Sequence, residues 1–551
     1  MNVAAILSLF HTIWAVPMLL LSTVPRTSLD VSEFEVPSLP DSPTLPRSWA
    51  GRLSIPDTEK GNSIFFWLFE AQDPAYDENL IIWFNGGPGC SSLIGLMTGN
   101  GPVLFDGNTT HLIENPYSWT KLGHVLYVDQ PAGTGFSTAS NPYPVRDNDR
   151  VTWDTYKWLQ SFFSHFPHLR SKRVHMIGES YAGIYIPYFA YAIAGNLDDY
   201  PIDLRSISLG DGTLGNPAAM TAVTVSTFLE SKKSLLQLPD EILSAFTQAD
   251  QTCGFTTVLQ QADQFPPKGK FEIVGDPENL NYKHRLRRHQ FQQYQRRNLR
   301  KVMNETCNNH PTTPEQVSSA ILNSTCYGSC ATFSTAMNYL DAISAAGTGK
   351  RCFDVYDIAN DCTTIDPLGL MASYFSRVDV QAALNLPPAP AGLAFAPCNS
   401  TILDTLLLAA PPTPPAYTIL PSLVTEHNIS VHVYSGENDL LLNHLGTELV
   451  LQNMTWRGAQ GFSRKPSRVF YADDAAPALL GSGSDACDVD VSHDSTARSE
   501  TGQPCVPVGI WASERGVTYH LFRGAGHSVF MKKPQEMFAY VRDVVVADVS
   551  G

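Results

Sequence analysis

Residues 173–183 read RVHMIGESYAG, in which a strand-like run leads into the pattern Gly-x-Ser-x-Gly. The apolar stretch 184–194 follows at once and suits a helix. A strand-to-helix turn this tight needs Gly178 and Gly183, because a side chain at either position would clash as the serine is pushed into a strained pose. That pose exposes the Ser180 hydroxyl, and the N-terminus of the helix favours negative charge beside it. The segment therefore predicts a nucleophilic serine, with a purely structural turn as the alternative.

Five further apolar runs have the length and composition of strands that are covered on both faces. They occupy residues 79–84, 123–128, 204–209, 429–434 and 518–522. Two segments, 151–166 and about 534–546, are predicted helices. Strands that alternate with helices indicate a mainly parallel sheet, so we predict an α/β fold in which helices flank the sheet.

The pattern changes between about residues 216 and 370, which look helical and hold six of the ten cysteines. We predict that residues 216–370 form a helical cap, tied down by disulfides and inserted between two parts of the core. The two parts are residues 46–215 and 371–551, preceded by an extended segment at 23–45 that is rich in Pro and Ser. Six cysteines allow 15 pairings, so the disulfides of the cap are left unassigned.

Two polar stretches lie within this arrangement. The basic segment 283–301 is interpreted as a solvated helix or loop, with a processing site or partner surface as the alternative. Residues 475–505 are rich in Gly, Ser and Asp, and we expect a surface loop that a disulfide between Cys487 and Cys505 could close.

The formal net charge of −16 argues against a protein that binds nucleic acid by electrostatics, because phosphate contacts need a basic surface. A hydrophobic fraction of 43% and a charged fraction of 16% are those of an ordinary globular protein. We therefore expect neither nucleic-acid binding nor a disordered chain.

The N-terminal apolar run from Val3 to Leu21 predicts a signal peptide at residues 1–22. An uncleaved signal anchor is the alternative, and it is the one contact with a membrane that we consider. An even number of cysteines favours disulfides, so we predict a protein of the secretory pathway that is secreted or vacuolar/lysosomal. Six N-x-S/T sequons are candidate glycosylation sites: Asn108, Asn304, Asn323, Asn399, Asn428 and Asn453.

The other members of a catalytic triad should follow Ser180 in the order acid, then histidine, each after a later strand. The last predicted strand leads into a Gly-rich turn that ends at His527, which makes this histidine the candidate base. The strand before it leads to two acids, Glu437 and Asp439, and spacing alone leaves both open as the residue that orients the base.

An oxyanion hole is also needed, because the charge of a tetrahedral intermediate must be met by donors that are already in place. The first donor is usually the amide of the residue after the nucleophile, here Tyr181. The loop Asn85–Gly89, which follows the first predicted strand, is the candidate for the second. Its Gly86 and Gly87 let the backbone approach a substrate closely.

Together these motifs resemble those of the serine carboxypeptidases, which have the α/β-hydrolase fold. The resemblance extends from about Pro46 to the C-terminal helix and is weakest in the predicted cap. The matching stretches are WFNGGPGCSS at 83–92, NPYSW at 115–119, DQPAGTGFS at 129–137, GESYAG at 178–183, YSGEND at 434–439 with Asn443 and Gly446, and GAGH at 524–527 with Pro534.

The resemblance implies a serine-type carboxypeptidase that releases amino acids from peptide or protein C-termini through an acyl-enzyme, with no metal or organic cofactor. It implies Asp439, not Glu437, as the acid of the triad. It also implies that the amides of Gly87 and Tyr181 are the oxyanion donors. The terminal carboxylate of the substrate would bind to Asn85, Gly86 and Glu179, with Trp83 in the surrounding hydrogen-bond network. One disulfide, between Cys90 and Cys398, is implied as well.

In that arrangement Glu179 faces a second carboxylate, that of the substrate. Two carboxylates in hydrogen-bond contact cannot both be ionised cheaply, so one proton must lie between them. We therefore expect substrate binding to be favoured at acidic pH.

The sequence departs from the family pattern at three places. Ser528 and the two residues after it replace Met or Glu followed by Val-Pro, and Leu442 stands where some members carry cysteine. Both positions lie near the expected site of the leaving residue. Asp211 replaces the Asn of a Gly-Asn-Gly turn, and the sequence alone attaches no function to it.

Two other functions compete with peptide hydrolysis. An acyltransferase or esterase could use the same scaffold, and transfer to an added alcohol would distinguish it. A non-catalytic binding partner could use the cap as its surface. Such a protein has no need of an intact Ser180, Asp439 and His527, so the sequence disfavours it.

Overall fold

The computed structural model describes most of the chain between residues 30 and 547. The described residues are 30–107, 109–141, 143–273, 311–322, 330–347, 352–361, 367–387, 394–411, 413–471 and 507–547. Several predicted features lie outside them, namely the signal peptide 1–22, the basic segment 283–301, the loop 475–505 with its two cysteines, and the sequons at Asn108, Asn304 and Asn323. Within the described residues, no helix combines the length and apolar character that crossing a membrane requires.

A ten-stranded sheet forms the centre of the fold, and its six middle strands are parallel. The strands of the described chain are β1 (Ser48–Ser54), β2 (Ser63–Phe69), β3 (Asn79–Phe84), β4 (Val103–Phe105), β5 (Leu112–Glu114), β6 (His124–Asp129), β7 (Arg173–Glu179), β8 (Leu204–Gly210), β9 (Ser430–Gly436), β10 (Thr455–Trp456), β11 (Ala459–Gln460), β12 (Arg468–Phe470), β13 (Gly509–Glu514) and β14 (Val517–Phe522). The pairs β4-β5 and β10-β11 form two separate two-stranded sheets, and the other ten strands form the central sheet. Their order in the sheet is β1-β2-β6-β3-β7-β8-β9-β14-β13-β12. Antiparallel strands at both edges make the sheet mixed.

Helices pack on the sheet, so the predicted α/β-hydrolase architecture is confirmed. The longer helices of the described chain, some of which lie in the predicted cap and not on the sheet, are Asn148–His165, Ala182–Ala194, Asp240–Cys253, Phe255–Ala262, Pro314–Leu322, Thr332–Ala345, Pro367–Phe375, Ser400–Leu408 and His444–Asn453. Shorter ones are Leu93–Gly95, Pro217–Met220, Val225–Ser231, Lys233–Leu236, Val378–Ala383, Ile419–Thr425, Val529–Lys532 and Pro534–Tyr540. The last of these continues as a π-helical turn, Val541–Val545.

Strand β3 shows why a strand in the middle of the sheet can be apolar over most of its length. Leu80, Ile82 and Phe84 belong to the core cluster on one face of the sheet. Ile81 and Trp83 belong to the cluster on the other face, and all five side chains are fully buried. Because successive side chains of a strand point to opposite faces, a strand covered on both sides must be apolar at every position. This is the pattern from which the sequence predicts these strands.

The helical region between the two halves of the sheet has a buried cluster of its own. That cluster draws on helices from Val225–Ser231 to Thr332–Ala345 and includes Phe246. A disulfide joins Cys253 to Cys330 within the same region. A separate core and an internal disulfide are what a cap needs, and the boundaries 216 and 370 remain a prediction.

Candidate active site

The nucleophile turn lies directly after β7, where Ser180 has a φ of +63°. Side chains other than glycine occupy this left-handed region at a cost of about 1–3 kcal/mol, and they do so mainly at functional sites. Two backbone hydrogen bonds hold the turn. Ser180 N donates to Gly210 O at 2.9 Å, and Gly183 N donates to Ser180 O at 2.9 Å. The helix Ala182–Ala194 begins at once, giving the strand–turn–helix unit that the sequence predicts.

The two glycines of the turn have no room for a side chain. A Cβ atom on Gly178 would lie 2.4 Å from Phe84 O, and one on Gly183 would lie 2.6 Å from Thr213 N. Both neighbours are backbone atoms and cannot swing aside. The turn is therefore closed to any larger residue at these positions, for the steric reason that the sequence suggests.

The imidazole of His527 contacts the carboxylate of Asp439. His527 Nδ1 lies 2.6 Å from Asp439 Oδ2, and the two residues follow the neighbouring strands β14 and β9. Asp439 is fully buried, and its Oδ1 accepts hydrogen bonds from the amides of Leu441 at 2.8 Å and Leu442 at 3.2 Å. Because β7 is parallel to these strands, the turn with Ser180 lies at the same edge of the sheet.

Glu437, the other acid that spacing allows, is engaged elsewhere. Its carboxylate accepts a hydrogen bond from Gly524 N at 2.9 Å and forms an ion pair with Lys232 at 3.2 Å. The structure therefore brings Asp439, and not Glu437, to the imidazole.

Two opposing effects govern the charge of the buried His527. Burial lowers the pKa of His527, but the charge of Asp439 and the hydrogen bond to it outweigh burial, so the pKa is raised above its ordinary value. Nε2, on the other side of the ring, has no hydrogen-bond partner in the described part of the chain. This nitrogen is available to take a proton from a hydroxyl.

The Gly-rich loop after β3 packs against the nucleophile turn. A Cβ atom on Gly86 would lie 2.5 Å from Tyr181 N and 2.8 Å from Ser180 Cβ. Gly87, the next residue, has a φ of +105°, which favours glycine. Two candidate oxyanion donors, the amides of Gly87 and Tyr181, therefore belong to segments that touch beside the serine.

We expect Gly86→Ala to slow the reaction of Ser180 with an organophosphorylating reagent by at least about 100-fold. The methyl group must displace either the loop or the Tyr181 amide, and losing one oxyanion donor costs about that much. Gly195→Ala is the matched control, because Gly195 has a φ of −73° and a Cβ there would lie 3.3 Å from its nearest neighbour. Equal labelling rates in the two folded variants would contradict this packing.

A disulfide between Cys90 and Cys398 fastens the same loop to a segment far along the chain. It is the pair that the family resemblance implies. Two backbone hydrogen bonds flank it, from Ser91 N to Pro397 O at 2.8 Å and from Asn399 N to Gly89 O at 2.9 Å. The loop is thus held at both ends, by β3 and by this bridge.

Trp83, Asn85 and Glu179 form a buried chain of hydrogen bonds. Trp83 Nε1 donates to Asn85 Oδ1 at 2.7 Å, and Asn85 Nδ2 donates to Glu179 Oε1 at 2.9 Å. Asn85 Oδ1 also accepts from Gly95 N at 3.0 Å, and these two donors set the orientation of the amide. The chain therefore ends on Glu179, which it holds in place.

Glu179 has one oxygen left over and an altered proton affinity. Burial raises the pKa of Glu179 to about 7, against the opposing influences of the His527 charge and of the side chains of Ser528 and Asn85. Its Oε2 is buried and has no hydrogen-bond partner among the described residues. A protonated Glu179 can therefore donate a hydrogen bond to another carboxylate placed next to it.

A cavity of about 610 Å³ opens beside His527. The ring of Tyr356 lies edge-on to the imidazole, with centroids 5.2 Å apart, and Tyr356 O accepts a hydrogen bond from His527 N at 2.7 Å. No motif in the sequence singles out Tyr356, which the predicted cap supplies. Other lining residues include Met97, Phe105, Asp354, Asp357, Leu370, Ser528, Met531 and Lys532.

Among the described residues, no three His, Cys, Asp or Glu side chains are grouped so that they could hold a metal ion.

Three predicted glycosylation sites lie in the described part of the chain, and they differ in accessibility. Asn428 is exposed. Asn399 donates from Nδ2 to Gly133 O at 2.9 Å. Asn453 is only 8% exposed, and its amide exchanges two hydrogen bonds with the backbone of Phe271. A glycan on Asn453 would break this packing, so the folded structure disfavours that prediction and leaves Asn428 as the most accessible of the three.

Similarity to known proteins extends over nearly the whole chain. The family model described as serine carboxypeptidase matches residues 40–547. A carboxypeptidase Y homolog of Arthroderma benhamiae is 43% identical over 549 residues, which are 99% of this chain and 100% of that protein. A pheromone-processing carboxypeptidase kex1 of Neosartorya fischeri is 27% identical over 557 residues, 98% of this chain and 72% of that protein.

The fold is also similar to that of a solved structure. The crystal structure of Kex1(delta)p, a prohormone-processing carboxypeptidase from Saccharomyces cerevisiae, aligns with a TM-score of 0.61. The alignment covers 94% of this chain and 96% of that one at 21% identity, so the likeness concerns the fold alone.

Proposed function

The chain belongs to the serine carboxypeptidase family, and from this premise we propose that Ser180, His527 and Asp439 form its catalytic triad. As a serine-type carboxypeptidase, it releases amino acids from the C-termini of peptides. The observation that carries the proposal is the 2.6 Å contact between His527 Nδ1 and Asp439 Oδ2. It lies at the C-terminal ends of the parallel strands, where Ser180 follows β7 in a left-handed turn.

The reaction proceeds through an acyl-enzyme. Ser180 Oγ attacks the last peptide carbonyl while His527 Nε2 takes its proton, and Asp439 keeps the other imidazole hydrogen on Nδ1. The amides of Gly87 and Tyr181 donate to the oxyanion that forms. His527 then gives its proton to the departing amino group. A water molecule, activated by the same imidazole, finally hydrolyses the ester on Ser180.

The terminal carboxylate of the substrate binds at Glu179, supported by Asn85, Trp83 and the backbone at Gly86. The unpartnered Oε2 of Glu179 and its raised pKa support this role, because the protonated form can share its hydrogen with the substrate. Recognition of a free carboxylate at this point limits cleavage to the last peptide bond. Binding is then favoured at acidic pH, where Glu179 keeps its proton.

The side chain of the released residue enters the cavity beside His527. Much of its wall is apolar, with Met97, Phe105, Leu370 and Met531 among the lining residues. Such a wall favours large apolar side chains, because burying them against it removes apolar surface from water.

Timed mass spectrometry of a mixed peptide pool at pH 5 tests this activity. We expect residues to leave one at a time from the C-terminus, large apolar ones fastest, and nothing to leave when Ser180→Ala is used as the control. Internal cleavage, or loss of residues from the N-terminus, would contradict the proposal. An added alcohol distinguishes hydrolysis from acyl transfer, since an acyltransferase would yield mainly the ester.

The location that fits the chain is the secretory pathway, with a secreted or vacuolar/lysosomal destination. The disulfides Cys90–Cys398 and Cys253–Cys330 support it, because such bridges form and persist in oxidising compartments.

A further inference from the structure

Asp211 lies in the turn after β8, close behind the proposed triad. It is fully buried and has a φ of +40°, in the left-handed region that aspartate adopts more readily than most residues other than glycine. Its backbone N donates to Tyr434 O at 2.9 Å. Its two carboxylate oxygens share one donor, Gly436 N, at 2.9 and 3.1 Å. A buried carboxylate with a single amide donor is poorly compensated if it is ionised.

The neighbour of this carboxyl group is the carboxyl group of Asp439. Gly436, whose N–H donates to Asp211, accepts at its own carbonyl oxygen from Asp439 N at 3.4 Å, so both aspartates are held on the same turn. The charge of Asp439 and a side-chain hydrogen bond with it both act on Asp211. Asp439 is much better provided with donors, since His527 Nδ1 and the amides of Leu441 and Leu442 all point at it. Two carboxyl groups in contact cannot both be ionised cheaply. The better-solvated member, Asp439, is therefore the anion, and a proton belongs on the other.

We propose that Asp211 is a positioning residue that stays protonated and donates a hydrogen bond to Asp439. This inference rests on the proposed triad and extends it by one member. The O–H of Asp211 is a further donor to the Asp439 carboxylate, and it holds that carboxylate in the orientation in which Oδ2 meets His527. A neutral Asp211 also leaves one negative charge, not two, behind the imidazole.

The surrounding charges agree with this assignment. Burial and then the charge of Asp439 raise the pKa of Asp211 well above its ordinary value, and the Gly436 amide only partly opposes them. Glu179 contributes in the same direction. The phenols of Tyr434 and Tyr519 also face this group, and burial raises the pKa of each well above its ordinary value, so both stay neutral.

The turn that carries Asp211 also touches the nucleophile. Gly210 O accepts from Ser180 N, and Thr213 N donates to Ser180 O, each at 2.9 Å. The segment Gly210–Thr213 therefore supports the serine with its backbone and the acid with its side chain. Asparagine at position 211 can keep both functions, because its amide N–H can donate where the carboxylic acid does.

The test is the pH dependence of Ser180 labelling by an organophosphorylating reagent, in wild type, Asp211→Asn and Asp211→Ala. The midpoint of the acidic limb reports the protonation of His527 and does not depend on peptide binding. We expect Asp211→Asn to leave this midpoint unchanged and its labelling rate near wild type. We expect Asp211→Ala to label about tenfold more slowly, because Asp439 loses a charged hydrogen bond.

A midpoint in Asp211→Asn that falls by one pH unit or more would overturn the proposal, because it would mean that the mutation removed a negative charge. Wild-type behaviour of Asp211→Ala would overturn it as well. If Asp211→Ala does not fold, infrared difference spectra of wild type against Asp211→Asn decide the question. A carboxylic acid band must then be present in the wild type and lost in the variant, and its absence refutes the protonated state.

These results remain distinct from the fate of the triad. If wild-type Ser180 is not labelled at all, the proposed triad fails. The infrared band still reports whether Asp211 holds a proton.

Discussion

Ser180→Ala lowers kcat for release of a C-terminal amino acid by about 10⁶-fold and leaves KM within a few-fold of wild type. The reason is that the proposed nucleophile acts in the chemical step, while other groups hold the substrate. Removal of a triad serine typically has an effect of this size. Steady-state hydrolysis of a blocked dipeptide at pH 5 measures both constants. Differential scanning calorimetry checks that the variant is folded, because alanine at position 180 must adopt the same left-handed backbone.

Substitution of Asp439, the proposed acid of the triad, should reduce kcat less than substitution of Ser180, and the nearby Glu437 offers a matched control. Asp439→Asn should lower kcat by about 10⁴-fold, because the imidazole is then held in the wrong tautomer. Glu437→Gln removes the neighbouring acid, which binds Lys232 and Gly524 instead of the imidazole, and should stay within about twofold of wild type. Comparable losses in the two variants would contradict the assignment of Asp439.

The middle of the fold is predictable from local sequence, and its edges are not. Strand β3 is apolar from Leu80 to Phe84 because both of its faces are covered, and this property is visible in five consecutive letters. The edge strand β1 reads SWAGRLS, in which Gly51 and Arg52 interrupt the apolar run. Strand β2 is buried along its whole length, but its antiparallel pairing with β6 depends on a partner far along the chain.

The residues of the candidate site likewise divide into those that short motifs predict and those that depend on tertiary structure. Ser180, His527 and the Gly86–Gly87 loop each stand next to glycines that a tight turn requires, so their roles can be predicted from short motifs. Tyr356 has no such signal, because its contact with His527 exists only once the predicted cap has packed on the core. The choice between Glu437 and Asp439 is likewise made by tertiary structure, which brings only one of them to the imidazole.

The sequence identifies Asp211 as a departure from the family pattern but does not indicate its role. The sequence shows an acid in place of the family's Asn, but a lone substitution in a turn has no stated chemistry. Its meaning depends on the carboxyl group that it meets, and Asp439 comes from a strand that is distant in the chain. The two carboxyl groups become neighbours only in the folded protein. The role of Asp211 therefore cannot be predicted from the sequence around position 211.

Glu179 should make the KM of the enzyme depend on pH in one direction. Its pKa is raised to about 7 by burial, and in the proposed binding mode the protonated form donates a hydrogen bond to the substrate carboxylate. The hydrogen bond from Glu179 therefore contributes fully to substrate binding below this pKa, and its contribution is lost as the pH rises through the pKa. We expect the KM of a peptide substrate to be flat between pH 5 and 6 and to rise about tenfold per pH unit above 7.

Glu179→Gln should abolish that rise, because the glutamine amide donates at every pH, and its KM at pH 5 should stay within about tenfold of wild type. Glu448→Gln is the matched control, since burial raises the pKa of Glu448 to about 7 as well. Its carboxylate accepts a hydrogen bond from the Tyr519 hydroxyl at 3.1 Å and does not belong to the proposed binding site for the substrate carboxylate. It should keep the wild-type profile. A substrate with a C-terminal amide lacks the second carboxylate and should show no rise in KM with the wild-type enzyme. If KM for the free acid rises equally in wild type and Glu179→Gln, the shared proton does not lie on Glu179, and another group must recognise the end of the peptide.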